Sequence, residues 1–260
     1  MTFQVGFSYR TLQSASTTFS LDYYTTIPDL SGNGGVVESE VKQSELNFQI
    51  DYTPKRKVIG YGVERIVVDN PYPRFFVTYS QGFKGFLASD LDYKKLQLYY
   101  KQPFIIGGIG RLNTIVEVGK TFGLVPLGLL SVVPGNQTYF TIENTFNLLA
   151  FYEFQTDQYA TFQLEHNFGG RIFARVPFLR KLNWRETIGV KGVYGSISDQ
   201  NRGINASGLI YKAPELGYWE YNAGIGNIFK VFKIEFSWRG NYRTPETTNF
   251  AIKGSFGFYF

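Results

Sequence analysis

The sequence predicts an all-β fold: one transmembrane, antiparallel, up-and-down β-barrel domain that takes up residues 1–260. Three observations predict it. Apolar and polar residues alternate along much of the chain up to its last residue, which is the period of a β-strand. Aromatic residues are abundant, with 25 Phe and 19 Tyr, and a membrane protein places such rings at two lipid–water interfaces. The longest apolar stretch, Phe122 to Pro134, is much shorter than the ~20 residues of a spanning helix.

Composition excludes several functional classes. The net charge of +5 comes from 26 basic and 21 acidic residues without a run of one sign, so we expect no nucleic-acid partner. The chain has no cysteine and one histidine, which excludes a disulfide framework, a thiolate metal site, a cysteine nucleophile and a histidine-cluster zinc site. We therefore expect no catalytic residue, no metal and no cofactor.

Alternating segments give about 12 strands, each about as long as a tilted strand that spans a bilayer. In chain order they cover residues 3–9, 19–23, 45–52, 73–82, 95–100, 109–120, 138–149, 160–168, 184–195, 219–225, 232–239 and 250–260. The segment 232–239 shows the pattern in its simplest form. Phe232, Ile234, Phe236 and Trp238 share one parity, while the other parity is polar or charged. Each strand thus has one apolar face and one polar face.

The kinds of residue on the two faces favour a barrel over a soluble sandwich. A sandwich would bury the aromatic face and leave the charges in water. A barrel would expose the rings to lipid and turn the charges into its lumen. The predicted lumen charges are Lys233, Glu235, Arg239 and Lys253. Because both signs are present, we expect them to pair across strands and to leave at most a narrow or gated conduit.

The carboxyl terminus carries aromatic residues at alternate positions, Phe256, Phe258 and Phe260. This pattern resembles the carboxyl-terminal strand signature of bacterial outer-membrane barrels. The resemblance implies residence in the outer membrane, contact with its lipid, and recognition by the barrel assembly machinery. Counting strands back from this end predicts that 198–215 lies outside the cell. The same count predicts that 170–181 and 26–43 lie on the periplasmic side.

Six longer segments resemble one family. They are YSQGFKGFLASDLDYKKLQL (79–98), VEVGKTFGLVPLGLL (116–130), PGNQTYF (134–140), FYEFQTDQYATFQLEHNFGG (151–170), RVPFLRKLNWRE (175–186) and GYWEYNAGIGNIFKVFKIEFSWR (217–239). Together they resemble the carboxyl-terminal barrel region of an uncharacterised outer-membrane family of Bacteroidetes-type bacteria. Members usually carry a carboxypeptidase-regulatory-like domain ahead of the barrel, so the chain looks like the carboxyl-terminal part of a longer protein or like a minimal relative of the family. A more distant similarity to the BamA/TamA surface-antigen barrels is limited to Arg202-Gly203, which lacks the aromatic third residue of their motif.

These features lead to one functional hypothesis and three alternatives, the third of which is a purely structural anchor for a missing soluble domain. We expect a non-enzymatic outer-membrane protein that acts in transport or in outer-membrane assembly, where the assembly version opens a seam between Phe3–Tyr9 and Phe250–Phe260. The first alternative is a narrow passive channel. The second is a membrane lipid hydrolase around His166, which lies on the apolar parity of its strand. The residue two positions on is Phe168 and no nucleophile can be named, so we expect His166 to be an interfacial residue.

Overall fold

Ten long antiparallel strands form one sheet, in which each strand pairs with the next one along the chain. The computed structural model describes residues 1–14, 20–28, 34–55, 58–60, 66–67 and 72–257. The sheet strands are β1 (Thr2–Gln13), β2 (Glu40–Tyr52), β3 (Arg74–Gly82), β4 (Tyr93–Ile106), β5 (Gly110–Phe122), β6 (Gln158–Asn167), β7 (Arg185–Ser196), β8 (Tyr218–Ile228), β9 (Phe232–Arg239) and β10 (Phe250–Phe256). The predicted all-β class, with a large antiparallel sheet, is confirmed.

Shorter elements lie in the connections. Three two-stranded pairs join Tyr23–Thr26 with Val36–Glu38, Val58–Ile59 with Ile66–Val67, and Ser131–Val132 with Gln155–Thr156. Short 3₁₀ turns cover Phe86–Ala88, Leu127–Leu129 and Phe173–Arg175, and short α-helices cover Pro177–Arg180 and Asp199–Gly203. None of the helices in the described ranges has the length and apolar character needed to cross a membrane.

The sheet is strongly curved, and its polar face is concave. Lys233 in β9 binds Glu165 in β6 at 2.5 Å, although β7 and β8 lie between them. Arg10 in β1 likewise reaches the hydroxyl of Tyr93 in β4 at 3.4 Å. Strands three positions apart in a flat sheet would be separated by about 14 Å. Contact between such strands therefore requires the sheet to bend around its polar side.

Burial is inverted relative to a soluble sandwich. Along β9 the polar residues at alternate positions are buried, while the apolar residues between them are only half-buried. In β8 the Trp219 and Tyr221 side chains are exposed, whereas Glu220 and Asn222 are buried. The register places one apolar residue beside the next from strand to strand, for example Phe236 between Ala223 and Ile252. We call this continuous apolar surface the outer face, and the concave polar surface the inner face.

The hydrophobic core lies inside the curve rather than between two sheets. Residues 123–157, which connect β5 to β6 and which we call the inner segment, supply half of its buried residues. A first cluster combines the inner segment with the connections before β2 and after β7: Leu21, Tyr23, Val41, Tyr93, Val125, Leu127, Leu129, Leu130, Ile197 and Tyr211. A second cluster packs the inner segment against β7 and β8: Val133, Phe146, Leu149, Phe154, Val193 and Tyr218. The curved sheet therefore wraps around a folded stretch of its own chain.

Two of the predicted strands are not strands of this sheet. Residues 138–149 belong to the inner segment and contain no long strand. Of the predicted strand 19–23, Phe19 lies outside the described residues, and the short strand there begins only at Tyr23 and pairs with Val36–Glu38. The expected count of about 12 exceeds the ten strands found. Because 138–149 is not a strand, the parity count shifts, and the connection between β1 and β2 lies at the same end of the sheet as 198–215. The prediction that 26–43 lies at the opposite end was wrong.

The two edges of the sheet are β1 and β10. Among the described residues, β1 pairs only with β2, and β10 pairs with β9 and with a short part of the inner segment. The sheet is therefore open, and closure into a barrel is not part of the observed structure.

Candidate functional site

Six charged side chains on the inner face of β7–β10 form a cluster that we call the polar anchor. Its members are Lys191, Glu220, Lys233, Glu235, Arg239 and Lys253. Each is less than one-tenth exposed, and Glu220 and Arg239 are 0% exposed. Burial of this many charges requires partners for nearly all of them, because an unpaired buried charge is strongly destabilising. Some of the partners lie on strands of the sheet or in the connection after β9, and several others belong to the inner segment.

The centre of the polar anchor is an ionic chain through Lys233. Its ammonium lies 2.5 Å from a carboxylate oxygen of Glu165 and 3.0 Å from one of Glu235. Glu165 is on β6, so this ion pair connects β6 to β9 across the concave side of the sheet. Ion pairs between opposite charges across the interior stabilise the curvature of the sheet. Because the charges alternate in sign, the described part of the inner face has no row of side chains of one charge.

Asn147 ties the inner segment to this chain. Its side-chain amide donates to Glu235 at 2.6 Å and to Ser237 at 2.8 Å. Its backbone N–H donates to Glu220 at 2.7 Å, and the next N–H, of Leu148, donates to the other oxygen of Glu220 at 3.1 Å. One carboxylate thus accepts two consecutive backbone N–H groups that would otherwise be buried without a partner.

Arg239 holds the following turn of the inner segment. Its guanidinium donates to the carbonyl of Leu148 at 3.2 Å and to the carboxylate of Glu153. The same guanidinium lies over the ring of Tyr218, 5.0 Å from the ring centre. The hydroxyl of Tyr218 in turn donates to Glu220 at 3.0 Å. Arg239 therefore couples β8 and β9 to residues 148–153.

Two lysines of the polar anchor bind backbone carbonyls. Lys191 donates to the carbonyl of Thr145 at 2.9 Å. Lys253 donates to those of Asn136 and Thr138 at 2.7 and 2.5 Å. Backbone carbonyls at these positions have no ladder partner in a segment that is not a strand. The lysines satisfy them and hold the inner segment along the inner face.

The space that remains inside is lined by both charged and apolar residues. A cavity of about 940 Å³ lies between the polar anchor and the end of the sheet at which β1 begins, and Lys101, Glu143, Glu165 and Lys233 are among its lining residues. A second cavity of about 320 Å³ lies between β4–β6 and the inner segment and is lined by Lys95, Glu117 and Phe146. Both signs of charge line the larger cavity, which does not favour a ligand of one charge.

Burial shifts the pKa of one tyrosine of the first core cluster, Tyr211, which lies outside the sheet strands. Burial raises the pKa of Tyr211 to about 12, because the charged phenolate is poorly solvated there. This residue packs in the connection between β7 and β8, against the inner segment. Its neutral form is therefore the one that the fold accommodates.

The structure places the sequence-predicted site residues in two groups. Lys233, Glu235, Arg239 and Lys253 all belong to the polar anchor. Phe256 lies on the outer face, 71% exposed, with its ring 5.0 Å from that of Phe232. Phe258 and Phe260 lie outside the described residues. The sequence analysis missed Asn147, because its range, 138–149, has the alternation of a strand, and it missed Glu153 in the connection that follows that range. One signal was available, since Leu148, Leu149 and Ala150 interrupt the alternation.

His166 lies on the outer face near the carboxyl end of β6, beside the turn between β4 and β5. Its ring contacts that of Phe168 at 4.5 Å between ring centres, and its Nε2 lies 3.4 Å from the carbonyl oxygen of Ile109. These partners supply neither a nucleophile nor an orienting carboxylate, which a catalytic base requires. The geometry gives no support to a hydrolase centred on this residue.

Comparison with protein families gives one match, to the carboxyl-terminal domain of a family of unknown function, DUF5686, over residues 10–200. The chain belongs to this family. The matched range begins near the end of β1, includes the whole inner segment and ends beyond β7. The resemblance to the carboxyl-terminal part of an uncharacterised family is thereby confirmed at this level for the DUF5686 chain. None of the curated proteins matches it.

Proposed function

We propose that this DUF5686 domain is a non-enzymatic β-barrel of the bacterial outer membrane, in which the curved sheet faces lipid and the inner segment occupies the lumen. The observation that carries the proposal is the inverted burial, with apolar rings exposed on the outer face and charges buried on the inner face. An apolar surface that extends across ten strands is far larger than the few hundred Å² that soluble monomers usually expose. Lipid is the environment that stabilises it.

The role that fits this interior best is transport or outer-membrane assembly rather than passive diffusion. The inner segment is held by the polar anchor and by two hydrophobic clusters, so the lumen is largely filled. A filled lumen needs a conformational change before a solute or a polypeptide can pass. The partners in this proposal are outer-membrane lipid and the barrel assembly machinery. The transported substrate would be a molecule that can pass once the inner segment is displaced from the lumen.

Two neighbouring positions on β6 give a matched test of the membrane proposal. Phe162 lies on the outer face, and Thr161 faces the smaller cavity on the inner face. A Phe162→Arg change should impair insertion into lipid vesicles by about 2–4 kcal/mol, which is the cost of a cation on the lipid face near the bilayer midplane. Thr161→Arg should change insertion much less, because its charge would enter a polar interior. Equal insertion of both variants would contradict the proposal.

Conductance separates this role from that of a passive channel. The filled lumen predicts that the reconstituted protein shows no steady open-channel current in a planar bilayer. A steady current at low voltage from the unaltered chain would instead support the narrow-channel alternative.

A further inference from the structure

Residues 138–142, which we call the edge segment, run from the interior to the free edge of β10. The N–H of Thr141 donates to the carbonyl of Gly254 at 2.8 Å, and the N–H of Gly254 donates to the carbonyl of Tyr139 at 2.9 Å. Phe140 is thus the parallel bridge partner of Gly254, and its ring lies 5.9 Å from that of Phe256 on the outer face. The edge segment therefore pairs with the free edge of β10 through one isolated parallel bridge.

Lys253 holds the same segment from the inner side. Its ammonium donates hydrogen bonds to the carbonyls of Asn136 and Thr138, at 2.7 and 2.5 Å. The side chain is 5% exposed. The edge segment is consequently fixed by two backbone hydrogen bonds and by one buried cation. This hold is local, because among the described residues of β10 it involves Lys253, Gly254 and the ring of Phe256 at the end of the strand.

The opposite edge of the sheet is complementary to β10. Strand β1 is the first and β10 the last of ten antiparallel strands, so the two run in opposite directions. Phe3, Val5 and Phe7 lie on the outer face of β1, as Phe250 and Ile252 do on β10. Outside its pairing with β2, no strand of the described residues pairs with β1. It therefore has the direction and the alternation required to pair with the edge of β10.

We propose that the edge segment is an exchangeable occupant of the β10 edge and that β1 is the occupant that replaces it. The seam then has two arrangements, one filled by residues 138–142 and one closed by β1. The first keeps the bonds of Lys253 to two carbonyls. The second gives those up and gains an antiparallel ladder along the seven residues of β10. Lipid shifts the balance towards the second, because an unpaired edge is strongly disfavoured in hydrocarbon. The effect of lipid rests on the proposed function, whereas the exchange itself does not.

Engineered disulfides can report both arrangements, since the chain has no cysteine of its own. Phe140→Cys with Gly254→Cys reports the filled seam, because bridge partners lie within the Cα separation that a disulfide tolerates. Ile252→Cys, combined in turn with Phe3→Cys, Val5→Cys and Phe7→Cys, reports the closed seam in three registers. A side chain at Gly254 would approach the ring of Phe232 to 2.9 Å, so hydrogen exchange at the Thr141 amide of the unaltered chain provides a second readout of the filled seam.

The full chain should give both cross-links in detergent. Lys253→Met should raise the closed cross-link several-fold and speed exchange at Thr141, whereas Lys84→Met, in the exposed connection between β3 and β4, should change neither. Absence of a β1–β10 cross-link in all three registers, in detergent and in vesicles, would overturn the proposal. Indifference of both readouts to Lys253→Met would overturn it as well. A chain that forms both cross-links but fails to insert into lipid would refute the proposed function and leave the exchange standing.

Discussion

Arg239 shows how a single buried charge holds two parts of this molecule together. It is 0% exposed and joins β9 to the carbonyl of Leu148 and to the carboxylate of Glu153. Arg239→Met keeps much of the side-chain volume but leaves both acceptors without their donor. We expect it to lower the free energy of unfolding by about 3–5 kcal/mol. Denaturant unfolding of the detergent-solubilised protein measures this change.

The matched control is Arg74→Met. Arg74 pairs with Asp51 at 2.9 Å, but its side chain is 50% exposed. An exposed pair contributes less than about 1 kcal/mol, so the control should be close to the unaltered protein. Equal destabilisation by the two changes would show that the burial of Arg239 has no energetic consequence.

The raised pKa of Tyr211 predicts how the free energy of unfolding depends on pH. Burial raises its pKa to about 12, above the ~10 of a tyrosine in an unfolded chain. The group therefore contributes its full stability below pH ~10 and loses it as pH rises towards ~12, where the unfolded state releases its proton more readily. Tyr211→Phe should remove about 2 kcal/mol of this loss between pH ~10 and ~12. Unfolding curves across that interval measure it.

The control for this residue is Tyr139→Phe, since the Tyr139 ring is 87% exposed. That variant should follow the unaltered protein over the whole interval. An identical alkaline loss of stability in Tyr211→Phe and in the unaltered chain would contradict the interpretation of Tyr211.

At the scale of elements, the inner segment is the part whose stability depends most on side-chain hydrogen bonds. Asn147→Ala removes the donors to Glu235 and Ser237 and leaves the sheet ladders intact. We expect faster amide hydrogen exchange in residues 134–148 and unchanged exchange in the mid-strand amides of β7–β9. Asn249→Ala, in the exposed connection between β9 and β10, is the control and should affect neither region. Faster exchange throughout the sheet would mean that the inner segment is not a separate unit.

Some elements of this structure could be predicted from the sequence, and others could not. Strands such as β9 were predictable, because strict alternation from Phe232 to Arg239 has one structural meaning. The segment 138–149 was not predictable, because it has the alternation of a strand but its position is set by partners far along the chain. Asn147 binds acids that lie on two other strands, more than 70 positions away along the chain. Pairing over such distances depends on register and curvature, which alternation does not encode. The four predicted lumen charges could therefore be named, but their partners could not.

At the scale of the whole molecule, curvature and burial together make this sheet unlike a soluble β-protein. The long-range pairs Lys233–Glu165 and Arg10–Tyr93 bend it around its polar face, and the inner segment fills the concavity. The apolar side chains of the outer face contact neighbouring rings on that face, as Trp238 does with Tyr221, but many of them remain exposed. In the proposed membrane-embedded barrel these side chains would contact lipid, and the two edges of the sheet, β1 and β10, would have to pair.

Fluorescence quenching by brominated lipid tests the central claim most directly. A variant that keeps only Trp238, through Trp184→Phe and Trp219→Phe, places one fluorophore on the outer face of β9. In vesicles with bromines at mid-chain depth, this variant should be strongly quenched. A variant that keeps only Trp184, which precedes β7 at the end of the sheet, should be quenched much less. A Trp238 signal insensitive to brominated lipid, from a protein that stays monodisperse without detergent, would contradict the account.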